Sequence, residues 1–275
     1  MKKIDYDVAL THAGVFHADD VFSAALLRIL NPDITILRVL KVPDNITDNT
    51  IVFDIGFGRY DHHQKDAEVR TNGIKYAAFG LLWREFGHFI LSQKNVEKID
   101  QMFVQAIDYA DNGGNLNPMT MAISDFAPCW DNPDQDMDAA FFRVVDFAKG
   151  ILQREFECLH SAERAEEEVT AALKLSDGNI VVLDRYVPWQ EILIPSSAKF
   201  VVFPSLRGGY SAQAIPSIPG GRDQKIPFPA EWAGATGNAL QTIVPGMTFC
   251  HPGRFMIATT TVDAAVDACT KAISN

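Results

Sequence analysis

Two short stretches hold most of the residues whose types and spacing can do chemistry. Ile51-Val52-Phe53-Asp54-Ile55-Gly56 delivers a carboxylate at the end of an apolar run. Tyr60-Asp61-His62-His63-Gln64 then follows a glycine-punctuated turn with a second carboxylate and two adjacent imidazoles. Neighbouring residues on an extended chain point opposite ways, so His62 and His63 divide the work: one can bind a metal while the other reaches what lies beside it. His12, His17, Asp19 and Asp20 upstream, with Asp108 and Asp111 downstream, complete the candidate set. Four of the seven histidines fall within the first 63 residues. Mixed imidazole and carboxylate ligands suit Mn²⁺, Fe²⁺, Co²⁺ or Zn²⁺, and the lack of cysteine ligands disfavours a structural zinc site. The candidates outnumber what one ion needs, which fits two ions about 3.5–4 Å apart bridged by a carboxylate.

These residues must be positioned by elements that the hydropathy pattern outlines. Val8-Ala9-Leu10 reads as a buried strand ending at Thr11-His12, and Val21 to Leu30 as a helix with Asp19 or Asp20 at its N-cap. Ile34 to Leu40 and Ile51 to Phe57 have the β-branched composition of two further strands. That order predicts an α/β domain with a largely parallel sheet, whose ligands gather at the carboxyl ends of the strands. Helices are expected over Tyr76 to Leu91 and from Asn95 to Asp111, with Gly113-Gly114 as the stop. Residues 112–137 read as a long loop, and 138–175 as one long helix or two with a break near Gly150. After the Asp177-Gly178-Asn179 turn the composition changes to short β-rich runs at 180–183, 200–203, 210–215 and 248–261, closed by an amphipathic helix over 262–273. The expected division is a metal-binding catalytic domain over 1–140, a helical connector over 141–178 and a smaller substrate-binding α+β domain over 179–275.

Length and composition bound the function classes. The 275 residues, 47% apolar and 21% charged, are ordinary for a globular chain. A formal charge of -11 argues against a broad basic face for duplex nucleic acid. Cys129, Cys158, Cys250 and Cys269 form no CxxC pair, so reduced thiols in a cytoplasmic protein are expected. The acid-rich start and the absence of an 18-residue apolar run predict neither a signal peptide nor a membrane span.

Thr11-His12-Ala13-Gly14-Val15-Phe16-His17-Ala18-Asp19-Asp20 resembles the first motif of the melanocyte-proliferating-gene family, sometimes labelled metal-dependent protein hydrolases. That family is a branch of the DHH phosphoesterase superfamily, with RecJ-like exonucleases and family II inorganic pyrophosphatases as relatives. The resemblance continues in order through Val52 to Gly56, Tyr60 to Gln64, Ala110-Asp111-Asn112-Gly113 and Trp130-Asp131. It returns in Phe203-Pro204, Gln213 to Pro216, Pro227 to Trp232 and Phe249-Cys250-His251. It implies His12, His17 and Asp19 as first-motif ligands, with His17 standing where relatives have an aspartate. It further implies Asp54 as the bridging carboxylate, His62 as the next ligand, and Asp111, in competition with Asp108, as the fourth-motif ligand. His63 would contact the scissile phosphate and Asp61 would orient His62.

The resemblance also implies a smaller second domain across a cleft, where Arg207, Arg222, Lys225, His251 and Arg254 are candidates to grip substrate. The glycine pair that relatives often carry near the final strand is missing beside Pro252-Gly253-Arg254-Phe255. The implied activity is a metal-dependent phosphodiesterase, a 3′–5′ exonuclease on RNA or short oligonucleotides, with two Mn²⁺ as the expected cofactor and Mg²⁺, Co²⁺ or Zn²⁺ as substitutes. An oligomer is compatible with it. The competing readings are a small-molecule phosphohydrolase or pyrophosphatase, and a non-catalytic metal-binding protein. A peptidase lacks an HExxH helix or a nucleophile set.

Overall fold

Strand β1 (Val8–His12) is central in a three-stranded sheet of order β2-β1-β3, with β2 (Thr35–Val39) and β3 (Thr50–Val52) both parallel to it. The computed structural model describes residues 2–132 and 135–275. Because Val8 pairs with both Thr35 and Thr50, the chain leaves β1 and β3 on the same edge of the sheet, at His12 and Asp54. Parallel strands require crossovers, and helix α1 (Ala18–Leu30) supplies the first. All of its residues except Arg28 are buried, which suits its nearly unbroken apolar composition.

Helices α2 (Ala78–Phe86), α3 (Gln93–Ile99) and α4 (Gln105–Asp111) complete this part of the core. The expected helix over 76–91 is shorter, ending in a 3₁₀ turn at Gly87–Phe89. The one expected from Asn95 is interrupted by a π-helical turn at Asp100–Val104 before it resumes as α4. Phe22 of α1 meets Phe79 of α2 at 5.6 Å and Phe103 at 5.0 Å between ring centroids. Phe22 and Phe79, fully buried, each stabilise by about 1.5–3 kcal/mol.

Part of the expected loop over 112–137 is helical: α5 (Pro118–Ser124) starts with Asn117, whose side chain accepts hydrogen bonds from Met119 and Thr120 N–H. Asn followed by Pro at the first helical position is the signal that the loop reading passed over. Pro133 and Asp134, which fall in that loop, lie outside the described residues. Helix α6 (Met137–Leu175) runs through Gly150 as one element of 39 residues.

The contacts divide the chain into two units, Met1–Leu159 and His160–Asn275. The second is built on a mixed sheet of order β4-β5-β6-β8-β7, formed by β4 (Ile180–Val182), β5 (Phe200–Pro204), β6 (Tyr210–Ala214), β7 (Met247–Cys250) and β8 (Met256–Thr259). Only β4 and β5 pair in parallel. The expected strand over 248–261 is two strands, β7 and β8, joined through His251–Phe255. Two short helices, α7 (Gln190–Leu193) and α8 (Asn238–Gln241), precede the final α9 (Val262–Ser274). Alternation along β5 serves both faces: Phe200 and Val202 join the core under α9, whereas Val201 and Phe203 join Val169, Trp189 and Leu193. The chain is thus α/β in its first unit, with a mixed sheet in its second. Its four cysteines are free, and among the described residues no helix is long and apolar enough to cross a membrane.

Candidate metal centre

The edge where β1 and β3 end carries an open pocket of about 800 Å³, lined by His12, His17, Asp19, Asp54, Asp61, His62, His63 and Asp111 among others. Asp54 is its hub. The residue is buried and takes a left-handed backbone, φ 55°, which a non-glycine side chain holds only where the surroundings enforce it. That backbone turns the carboxylate so that its two oxygens face different partners. Oδ2 lies 3.3 Å from His12 Nε2, and Oδ1 lies 3.2 Å from His62 Nε2.

The ligand-type atoms gather in three groups, each within 4.8 Å: His12 with Asp20 and Asp54, Asp54 with His62 and His63, and Asp19 with His62 and Asp111. His62 Nε2 stands 3.1 Å from Asp111 Oδ2 and 4.0 Å from Asp19 Oδ2. Asp19 is aimed by helix α2, which has no capping side chain of its own: Phe79 N–H donates to Oδ1 at 2.7 Å and Ala78 N–H to Oδ2 at 3.0 Å. A carboxylate oxygen accepts more than one bond, so both remain open to a cation.

Asp20 is the residue that the sequence left in the wider candidate set and the structure places inside. It accepts from His17 N–H at 2.8 Å through Oδ1 and turns Oδ2 to His12 Nε2 at 3.3 Å. Oδ2 is buried and without a hydrogen-bond partner, an acceptor left for a cation. His17 is exposed at the helix start, 6.0 Å from the His12 ring between centroids, and is in none of the three groups among the described residues.

The expected partnership of Asp61 with His62 is not found. Asp61 Oδ1 instead accepts from His63 N–H at 3.1 Å and lies 2.6 Å from His63 Nδ1, and Oδ2 accepts from Phe57 N–H at 2.6 Å. The turn after Gly58 folds the carboxylate back over the following residue but one. His63 Nε2 is left as the ring nitrogen available to a ligand, on a side chain that is 55% exposed.

Asp108 and Asp111 face different ways. Asp108 is paired with Arg70 Nη2 at 2.7 Å and accepts from Gly80 N–H at 3.1 Å. Arg70 also reaches Asp100 at 2.8 Å and lies 3.8 Å over the Tyr76 ring. A Cβ at residue 80 would come within 1.9 Å of Asp108 Oδ2, so glycine is required for this approach.

The protonation pattern follows from this crowding. A hydrogen bond to Asp54, aided by the charge of Asp20, raises the His12 imidazole to about 9 against the effect of burial. Burial also opposes the His62 cation, but hydrogen bonds to Asp111 and Asp54 lift it to about 11. Burial favours a neutral Asp54, yet the hydrogen bonds from His12 and His62 outweigh it and hold the carboxyl at about 2. Burial pushes Asp20 up to about 7, and pushes Asp19 up with the help of Asp54, Asp111 and Asp108. Protons on two imidazoles are thus the positive charge among these carboxylates. Divalent ions fit the same donors by taking those protons' place, since oxygen and imidazole nitrogen are their ligands.

In the second unit, Arg207 and Arg222 are exposed. Lys225 is a structural anchor, its Nζ donating to the carbonyls of Leu193, Ser196 and Ala198 at 2.7–3.0 Å. His251 Nδ1 accepts from Gly253 N–H at 2.9 Å, and Arg254, at φ 56°, donates from Nη1 to Phe228 O at 3.4 Å.

Comparison with known proteins matches nearly the whole chain to one family. A family model described as an uncharacterised protein family (UPF0160, MYG1_exonuc) matches residues 8–273. The chain is similar to "MYG1 exonuclease" of Homo sapiens, 28% identical over 302 residues that cover 90% of this chain and 80% of that protein. It is 30% identical over 266 residues to "MYG1 protein" of Chlamydia trachomatis, covering 90% and 89% of the two chains. A third relative, "MYG1 protein C694.04c" of Schizosaccharomyces pombe, is 26% identical with 96% of each chain covered. No solved structure matches.

Proposed function

This chain belongs to the MYG1 family, the melanocyte-proliferating-gene family, and from that premise we propose that it is a divalent-metal-dependent phosphoester hydrolase. Its reaction is 3′–5′ exonucleolytic cleavage of RNA or short oligonucleotides. The observation that carries this reading is Asp54, whose two carboxylate oxygens look into two separate imidazole–carboxylate groups. The exonuclease name of the human relative supports the nucleic-acid substrate.

His12, Asp20 and Asp54 would hold one Mn²⁺, and Asp19, Asp54, His62 and Asp111 the other. When bound, such a pair supplies a hydroxide near neutral pH and neutralises charge on the phosphoryl oxygens. Asp61 fixes the His63 ring through Nδ1, so that Nε2 donates a hydrogen bond to the phosphate or a proton to the leaving oxygen. Arg207, Arg222, His251 and Arg254 are the candidates for contacts with further phosphates.

The test is purified protein with Mn²⁺, offered 3′- and 5′-labelled RNA, short oligonucleotides and pyrophosphate. Stepwise shortening from the 3′ end is expected, and Asp54→Asn reduces it by more than the roughly 10–100-fold typical of removing a group that only supports a metal ligand. Pyrophosphate turnover without oligonucleotide cleavage would replace the exonuclease with a small-molecule phosphohydrolase, which the net charge of -11 also suits. Metal analysis is a separate check: a protein that retains no divalent ion at saturating Mn²⁺ would sink the two-ion arrangement.

A further inference from the structure

Phe57 is a costly residue for the folded chain to carry. It lies between Gly56 and Gly58, the residue is 72% exposed, and its backbone takes φ 57° in the left-handed region. A bulky side chain is a genuine outlier there, and glycine is at ease. The backbone has a clear task, because Phe57 N–H holds Asp61 Oδ2 at 2.6 Å while Asp61 Oδ1 holds His63 Nδ1 at 2.6 Å. Glycine would supply the same N–H without the strain. The ring itself does nothing for the fold, yet it lines the pocket that holds Asp54, His62 and His63. Leu116, 66% exposed, adds a second apolar surface to the same pocket.

We propose that Phe57 is a stacking platform for a nucleobase of single-stranded nucleic acid beside the scissile phosphate. The proposal rests on the phosphodiesterase reading and narrows it: the site selects phosphoesters that carry a base over base-free ones. Every base has a π face, so an aromatic platform grips a strand without reading its sequence. The charge balance favours such a grip. A chain at -11 offers little general attraction to a polyanion, and stacking on an apolar ring is the contact that does not depend on it. Strain retained at a residue that gains nothing in the free protein is the pattern of a ligand-binding position.

The experiment uses the full chain with Mn²⁺ and two single-stranded oligonucleotides, one ending in ordinary residues and one in abasic tetrahydrofuran residues at the cleaved end. Wild type is expected to show a KM about tenfold lower for the ordinary strand, the size of one stacked base. Phe57→Ala brings the two KM values together by raising the first, and Phe57→Trp restores the difference. Phe57→Gly also loses the preference while its unfolding midpoint rises, because the left-handed backbone is relieved. A preference that survives in Phe57→Ala overturns the proposal. So does an equal fall of kcat/KM on both strands, which would mark a disturbed Asp61–His63 loop, or a change confined to sedimentation, which would make the ring a contact with a second copy. Wild type that cleaves both strands equally sinks the stacking platform alone, whereas wild type that cleaves neither sinks the phosphodiesterase reading beneath it.

Discussion

Asp108 and Asp111 stand one turn apart on α4, and the charges that answer them differ in kind. Asp108 meets Arg70, a guanidinium that keeps its proton at any pH the fold survives. Asp111 meets His62, an imidazole that can give its proton up to a competing cation. The first pairing is permanent and ties α4 to Gly80 of α2; the second is exchangeable. A buried carboxylate is therefore not a metal ligand by virtue of burial. What distinguishes the two is whether the neutralising charge can leave.

The largest expected effect breaks the permanent side. Arg70→Met strands Asp108 in the core, and denaturant unfolding should show a loss of about 3–5 kcal/mol that saturating Mn²⁺ does not remove. Adding Asp108→Asn in the same chain should recover part of it. A loss under about 1 kcal/mol would show that Asp108 is already neutral without Arg70, in keeping with the burial that pushes it up to about 7.

The exchangeable side is sharpened by pH. His12 and His62 are raised above the ordinary imidazole value, to about 9 and about 11, so both hold a proton at pH 7 that a metal must expel. Calorimetric titration with Mn²⁺ at pH 7, in two buffers of different ionisation enthalpy, should report at least two protons released, one from each imidazole, with more from Asp19 and Asp20, both pushed up by burial. Affinity then climbs as pH rises from 7 to 9. In the metal-free protein the sign is opposite. A raised imidazole contributes stability that is complete below its unfolded value and fades as pH rises through about 9 for His12. The gap between metal-bound and metal-free midpoints should consequently widen from pH 7 to 9, and a flat gap would count against imidazole ligation.

The smallest effect is at Asp100, the partly exposed second partner of Arg70. Asp100→Asn should cost about 1 kcal/mol by urea unfolding, and Mn²⁺ affinity should be unmoved.

How far the sequence could be read depended on range. The apolar runs ending at His12 and Asp54 marked strands whose ends carry ligands, because a parallel sheet gathers its chemistry at those ends. The helical stretch of 138–175 was legible, although the break allowed near Gly150 does not occur, and α5 was legible too, in Asn117-Pro118, had the capping signal been weighed over the Gly and Asn content around it. Asp20 was not. A carboxylate in the first turn of a helix is satisfied by the helix dipole and the capping bond alone, so nothing local says that its second oxygen turns inward to His12. Nor was the partner of Asp61 legible, because a glycine-rich turn chooses between His62 and His63 by backbone dihedrals that residue types do not disclose.

The sequence by itself determined the chemistry on offer: imidazoles and carboxylates without thiols, delivered at strand ends and helix starts, in the order of one family. Tertiary structure decided which of them share a centre. The face that Asp111 presents is set by the π-helical turn at Asp100–Val104, which shifts the phase of α4, and by Arg70, which claims Asp108 from outside the helix. The aim of Asp19 is set by the bare N-terminus of α2, in contact across 59 residues of chain. Asp54 reaches two groups from a left-handed backbone that the residues around it do not announce. Each of these is a long-range or dihedral choice, and such choices are made by packing rather than by the residues on either side.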